Sequence, residues 1–129
     1  MSRKKILIVD DERDFCLTIS THLKFLGDYD VDVAFNGEEG IKIAKKFNPD
    51  LIILDIIMPG MDGFTVLRKL KKENATMAIP VIMLSGQDSE AYKVEAAQLF
   101  DELYITKPVD AHQLKEKIDE VFKRRGSGE

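Results

Sequence analysis

The chain has 129 residues, 44% of them apolar and 33% charged, and its 19 Lys and Arg against 23 Asp and Glu leave a net charge of -4. That length suits one compact domain and leaves little room for two, and the apolar share can bury a core, which argues against intrinsic disorder. A mildly acidic balance argues against general nucleic-acid binding, and the single cysteine, Cys16, excludes an internal disulfide and a Cys-based zinc site.

In chain order, Met1 to Lys5 is basic, but the apolar run behind it is only Ile6 to Val9 and Asp10-Asp11-Glu12 ends it, so no signal peptide is read here. No run approaches the roughly 20 apolar residues of a membrane helix. A cytoplasmic protein with no membrane and no direct nucleic-acid partner is expected. The run Ile6 to Val9 reads as a strand covered on both faces. Phe15, Ile19, Leu23 and Leu26 follow at helical spacing, with Gly27 as the stop. Tyr29 to Phe35 alternates, with Val31, Val33 and Phe35 on one side and Asp30 and Asp32 on the other, as an edge strand does. Ile41, Ala44 and Phe47 make a second helical stripe, ended by Asn48-Pro49. Leu51 to Leu54 is a second buried strand, Phe64, Leu67 and Leu70 mark a third helix, and Val81 to Leu84 is a third buried strand. A fourth helix is expected over about 89–99, with Asp88 or Ser89 as N-cap, then a short weak strand from Leu103 to Thr106. Leu114, Ile118, Val121 and Phe122 form the clearest stripe, opened by Asp110 with Gln113 at capping-box spacing. Lys123-Arg124-Arg125 closes that helix, where cations favour the macrodipole. The domain is expected over 1–125, with 126–129 a flexible tail.

Strands alternating with helices predict an α/β fold, a parallel sheet with helices on both faces. Right-handed crossovers favour a doubly wound arrangement, and the five-stranded flavodoxin-like order 2-1-3-4-5 fits a chain of this size.

The chemistry sits at the strand ends. Asp10 and Asp11 follow the first strand, Asp55 the third, Ser85 and Gly86 the fourth, and Lys107 and Pro108 the fifth. In such a sheet ligands bind outside the carboxyl ends of the strands near the switch point, so these side chains are predicted to converge in one cleft. Taken singly, Asp-Asp can be a helix cap, a strand-end carboxylate a turn residue, and a lysine a solvated charge. Together, crowded carboxylates repel, and a divalent cation relieves them; oxygen ligands favour Mg²⁺, Mn²⁺ or Ca²⁺ over zinc. The Ser85 hydroxyl and the Lys107 cation suit the oxygens of a phosphoryl group carried on or beside a carboxylate. His22 and His112 match no metal-ligand spacing, and Cys16 reads as a packing thiol.

The motifs that carry these residues resemble the receiver domain of two-component response regulators, the chemotaxis-type receiver family. They are Ile6 to Glu12, Asn36 to Glu39, Pro49 to Ile56, Met58 to Gly63, Pro80 to Gly86 and Tyr104 to Pro108, in family order and spacing over about residues 4–124. The resemblance implies a signalling switch rather than an ordinary enzyme, one that assists its own phosphorylation and dephosphorylation. It implies Asp55 as phosphoacceptor in a Mg²⁺-dependent phosphorelay. Asp10, Asp11, Asp55 and the backbone carbonyl of Ile57 would hold the metal. Ser85 and Lys107 would contact the phosphoryl group, Tyr104 would be the aromatic switch residue, and the Lys107-Pro108 bond would be cis. The implied partners are a sensor histidine kinase or a histidine phosphotransfer protein, and a downstream protein target or an output domain absent from this chain. The alternative within the family is a degenerate receiver that docks without phosphorylation; the complete acidic triad, Ser85 and Lys107 oppose it.

The sequence departs from the family at Phe100-Asp101-Glu102-Leu103, where Gly-Ala-Asp-Asp is common, so the turn into the last strand is expected to differ. Ile57 and Gln87, each two residues past a site residue, are positions that influence the lifetime of the phosphorylated state. Aspartate-nucleophile phosphatases or dehalogenases usually need a second acid where Ile57 stands. A flavin carrier would need a phosphate-cradling loop where Asp10-Asp11-Glu12 would repel phosphate.

Overall fold

The computed structural model describes residues 3–86 and 103–126, with side chains to residue 124. Five strands and four helices lie in this span: β1 (Lys4–Val9), α1 (Arg13–Leu26), β2 (Tyr29–Ala34), α2 (Gly37–Phe47), β3 (Leu51–Asp55), α3 (Gly63–Lys72), β4 (Val81–Ser85), β5 (Leu103–Thr106) and α4 (Ala111–Gly126). The sheet is parallel throughout, in the order β2-β1-β3-β4-β5, as the alternation of elements predicts. The helix expected over about 89–99, Gln87, and the turn at Phe100 to Glu102 lie outside the described residues. So do 127–129 of the expected tail, while Gly126 is still helical.

The strands read as unbroken apolar runs because both of their faces are covered. Leu7, Val9, Ile52, Leu54, Val81 and Met83 face one layer, where they pack with Ala44 of α2 and Phe64, Leu67 and Leu70 of α3. Ile6, Ile8, Leu51, Ile53, Ile82 and Leu84 face the other, against Cys16, Ile19 and Leu23 of α1 and Leu114 and Ile118 of α4. Alternate residues of each strand therefore serve opposite cores. Pairing, rather than apolarity, sets the strand ends: β1 begins at Lys4 because Lys4 and Lys5 lie opposite Tyr29 and Asp30. The edge strand β2 exposes Asp30 and Asp32 and half-buries Val31 and Val33, as its alternation predicts.

Caps explain where the helices start and stop. Asp62 accepts from the Thr65 N–H and Asn36 from the Glu39 N–H, each through its side chain. Asp110 and Gln113 exchange two hydrogen bonds of 2.9 Å, the capping box expected before α4. Asn48 ends α2 in the left-handed region at φ 51°. Gly27 ends α1 as predicted but for another reason: its backbone is extended, and a Cβ there would lie 2.7 Å from the Tyr29 ring. Among the described residues no helix is long and apolar enough to cross a membrane.

Candidate functional site

Parallel strands bring all their carboxyl ends to one edge of the sheet, and the sequence places its polar residues there. Asp10 follows the last residue of β1, and its N–H extends the ladder to the Ala34 carbonyl at 3.0 Å. Asp55 and Ser85 are the last residues of β3 and β4. Lys107 follows β5, and its N–H donates to the Ser85 carbonyl at 2.7 Å. The bond after it, Lys107-Pro108, is cis.

Asp10 is fully buried and Asp55 5% exposed, whereas Asp11 is open to solvent. One carboxylate oxygen from each lies within 4.8 Å of the other two. Asp11 therefore contributes from the rim and the other two from the floor. Lys107 Nζ donates to Asp10 Oδ2 at 2.8 Å and to Glu12 Oε1 at 2.7 Å, and stands 3.6 Å from Asp55 Oδ1. The Phe15 ring backs the ammonium, its centroid 4.7 Å away. The Glu12 N–H donates to Asp10 Oδ1, so Asp10 is tied from two sides while Asp55 keeps its strongest cation at arm's length. The Ser85 hydroxyl is fully buried and has no hydrogen-bond partner among the described residues. An orphaned buried hydroxyl beside carboxylates is costly unless a ligand uses it.

Electrostatics follow from this crowding. Burial, then the charge of Asp10, push the Asp55 carboxyl up to about 7, against a partial opposing effect of Lys107. Burial also raises Asp10, although Lys107 and the Glu12 N–H favour its ionised form. For Lys107 burial opposes the charge, but hydrogen bonds to Asp10 and Glu12 outweigh it and hold the ammonium above its ordinary range. An all-oxygen set with excess negative charge suits a hard divalent cation, which would cancel the repulsion that now raises Asp55.

Of the residues singled out from sequence, Asp10, Asp11, Asp55, Ser85 and Lys107 meet at this edge. Ile57 follows in the loop after β3, with its side chain 45% exposed. Tyr104 is half-buried on β5 and packs against the α2–α3 side of the core. Cys16 is buried as expected, and its Sγ donates to the Asp10 carbonyl. Asp10 and Asp11 do not cap α1: Glu12 occupies that position, without a side-chain cap bond. His22 and His112 are both exposed and line a groove on the α1–α4 side, away from the carboxylates. Sequence reasoning placed Glu12 in the acidic run and Phe15 in the first helical stripe but gave neither a role at Lys107, which they hold and back. Their signal was proximity to the Asp pair, too generic to separate from helix capping.

Comparison with known proteins gives one answer. The profile of the family described as response regulator receiver domain matches residues 6–119. The alkaline phosphatase synthesis transcriptional regulatory protein PhoP of Bacillus subtilis is 36% identical over 121 residues, 94% of this chain and 49% of that protein. Protein PilH of Pseudomonas aeruginosa is 38% identical over 118 residues, 92% of this chain and 97% of that one. The chain spans about half the length of several curated relatives, PhoP among them. Among solved structures, a CheY-like response regulator receiver domain protein from Methanospirillum hungatei superposes with a TM-score of 0.87 at 31% identity, covering 99% of this chain and 100% of that one.

Proposed function

Because the chain belongs to the response regulator receiver domain family, we propose that it is a phosphorylation-dependent signalling switch whose phosphoacceptor is Asp55. The observation that carries this reading is the convergence of three carboxylates, a lysine and an orphaned serine hydroxyl at one sheet edge.

In the proposed reaction, a phosphohistidine of a sensor kinase or phosphotransfer protein is the donor. An Asp55 carboxylate oxygen forms the new O–P bond as the donor N–P bond breaks, and the imidazole leaves. Asp10, Asp11, Asp55 and the Ile57 backbone carbonyl would hold Mg²⁺, which neutralises charge on the transferring group when bound. Lys107, already 3.6 Å from Asp55, needs only a small shift from Asp10 and Glu12 to pair with a phosphoryl oxygen. Ser85 supplies the hydrogen bond that its hydroxyl does not make here. Its movement would leave room for Tyr104 to turn inward, which biases the face around β5 toward a second state. A downstream protein, or an output domain on a longer product, would read that state.

Incubation with acetyl phosphate, read by intact mass, tests the assignment. One phosphate should add in the presence of Mg²⁺, and EDTA or Asp55→Asn should abolish it. Full labelling of Asp55→Asn overturns the reading.

A further inference from the structure

Helices α2 and α3 carry seven Lys and Arg against two Glu, in a chain where acidic residues outnumber basic ones overall. Between them runs an open groove of about 520 Å³. Lys42 and Lys45 line it from α2, and Lys69 and Lys72 from α3, with Ile41 and Met61 as its apolar lining. Ile41 and Met61 are half-buried and pack on the core beneath, so they present a fixed apolar base. Lys45 is bridged to Glu73 at 3.0 Å. Lys42, Lys69 and Lys72 are exposed and have no carboxylate partner among the described residues.

We propose that this groove docks an acidic protein segment carrying an apolar anchor side chain. The three unpartnered lysines supply charge complementarity, which guides encounter and orientation. The Ile41–Met61 base takes the anchor, and a methionine adapts to its shape. Each helix is roughly 15 Å long at its usual rise, room for two or three helical turns of a partner. Two features favour a protein over a nucleic acid. Glu38 also lines the groove and Glu73 occupies Lys45, so the positive charge is interrupted, which disfavours a continuous phosphate backbone but leaves room for a segment with spaced acids. The net charge of -4 also opposes the long-range attraction on which nucleic-acid binding depends. This surface shares no residue with the strand-end cluster, so it stands independently of the phosphorylation chemistry.

The test uses a fluorescein-labelled twelve-residue peptide of Glu, Asp and Leu, a matched peptide with Ser for Leu, and an oligothymidine of equal length. Fluorescence anisotropy should show saturable binding of the Leu peptide that weakens with salt and with the Ser replacement. The double charge reversal Lys42→Glu/Lys69→Glu should weaken binding by about tenfold or more at an unchanged melting temperature. Amide chemical shifts of the parent protein on titration should move in α2 and α3, which locates the site without any variant. The proposal is overturned if no saturable binding occurs up to about 1 mM. Shifts confined elsewhere, parental affinity in the charge-reversed protein, or tighter binding of the oligothymidine overturn it equally.

Discussion

Gly63 packs so tightly under Asp55 that a Cβ at this position would overlap the Asp55 carbonyl oxygen and lie 2.8 Å from the Ile56 Cα. The Gly63 N–H meanwhile donates to the Ile56 carbonyl at 2.7 Å, which ties the first residue of α3 back to the end of β3. The neighbours are backbone and cannot swing aside. Gly63→Ala should therefore cost about 1–3 kcal/mol by urea unfolding. It should also slow acetyl phosphate labelling, because the carbonyl it displaces belongs to Asp55. An unchanged urea midpoint would refute the packing argument.

In EDTA, stability should decline as pH rises from about 4 to about 7. The folded Asp55 carboxyl sits at about 7 against an ordinary value of 3.8, so the folded state binds the extra proton over that window. Its contribution is complete below the unfolded value and lost as pH passes the folded one. Asp55→Asn should flatten this decline and melt several degrees above the parent at pH 8. Thermal scans at stepped pH decide it; parallel curves for the two proteins would refute the assignment.

Mg²⁺ at about 10 mM should raise the melting temperature through preferential binding to the folded state. Asp11 is exposed, so Asp11→Ala removes one of the proposed ligands with little loss of packing and should abolish most of the rise. Equal Mg²⁺ shifts in parent and variant would argue against this metal set.

Once phosphorylated, the protein should lose phosphate slowly. The Ile57 side chain, 45% exposed in the loop after Asp55, can neither orient water nor accept its proton. Ile57→Asn should speed the decay several-fold with an unchanged melting temperature, followed by intact mass after removal of the donor. Decay at the parental rate would mean that Ile57 only packs against its loop.

Cys16 should resist thiol reagents in the native state. Its Sγ is buried against the Asp10 carbonyl, and burial, then the Asp10 charge, push the thiol up to about 12. Labelling at pH 7.5 should track global unfolding across a denaturant series; rapid labelling without denaturant would contradict the burial.

The strands and their order were legible because burial on both faces leaves a run such as Leu51 to Leu54 with no polar interruption. The cluster was legible for the complementary reason. Asp10, Asp55 and Ser85 are the first polar residues after, or at the end of, those runs, Lys107 directly follows β5, and a parallel sheet must bring such positions together. The contacts that depend on side-chain reach were not legible. Glu12 holding Lys107 spans 95 residues of sequence, and nothing in local spacing encodes it. The requirement at Gly63 arises where the start of α3 meets the backbone at the end of β3, which leaves no periodic trace. Gly27 was placed correctly as a stop, but the Tyr29 ring that demands it lies on the next element.

The outer strand β2 also bears on how the molecule behaves in a crowd. Among the described residues no strand pairs with its outer edge, where another extended chain could add, but the Val33 N–H there is already taken by the Asp32 carboxylate at 2.9 Å and the Tyr29 carbonyl by Arg3 at 2.7 Å. Asp30 and Asp32 project from that edge strand into solvent, and Arg3 engages Asp30 at 2.9 Å. A second copy adding in parallel register would set the Asp32 carboxylates side by side and would have to accommodate the Arg3–Asp30 pair, both of which make this strand a poor template for a growing sheet.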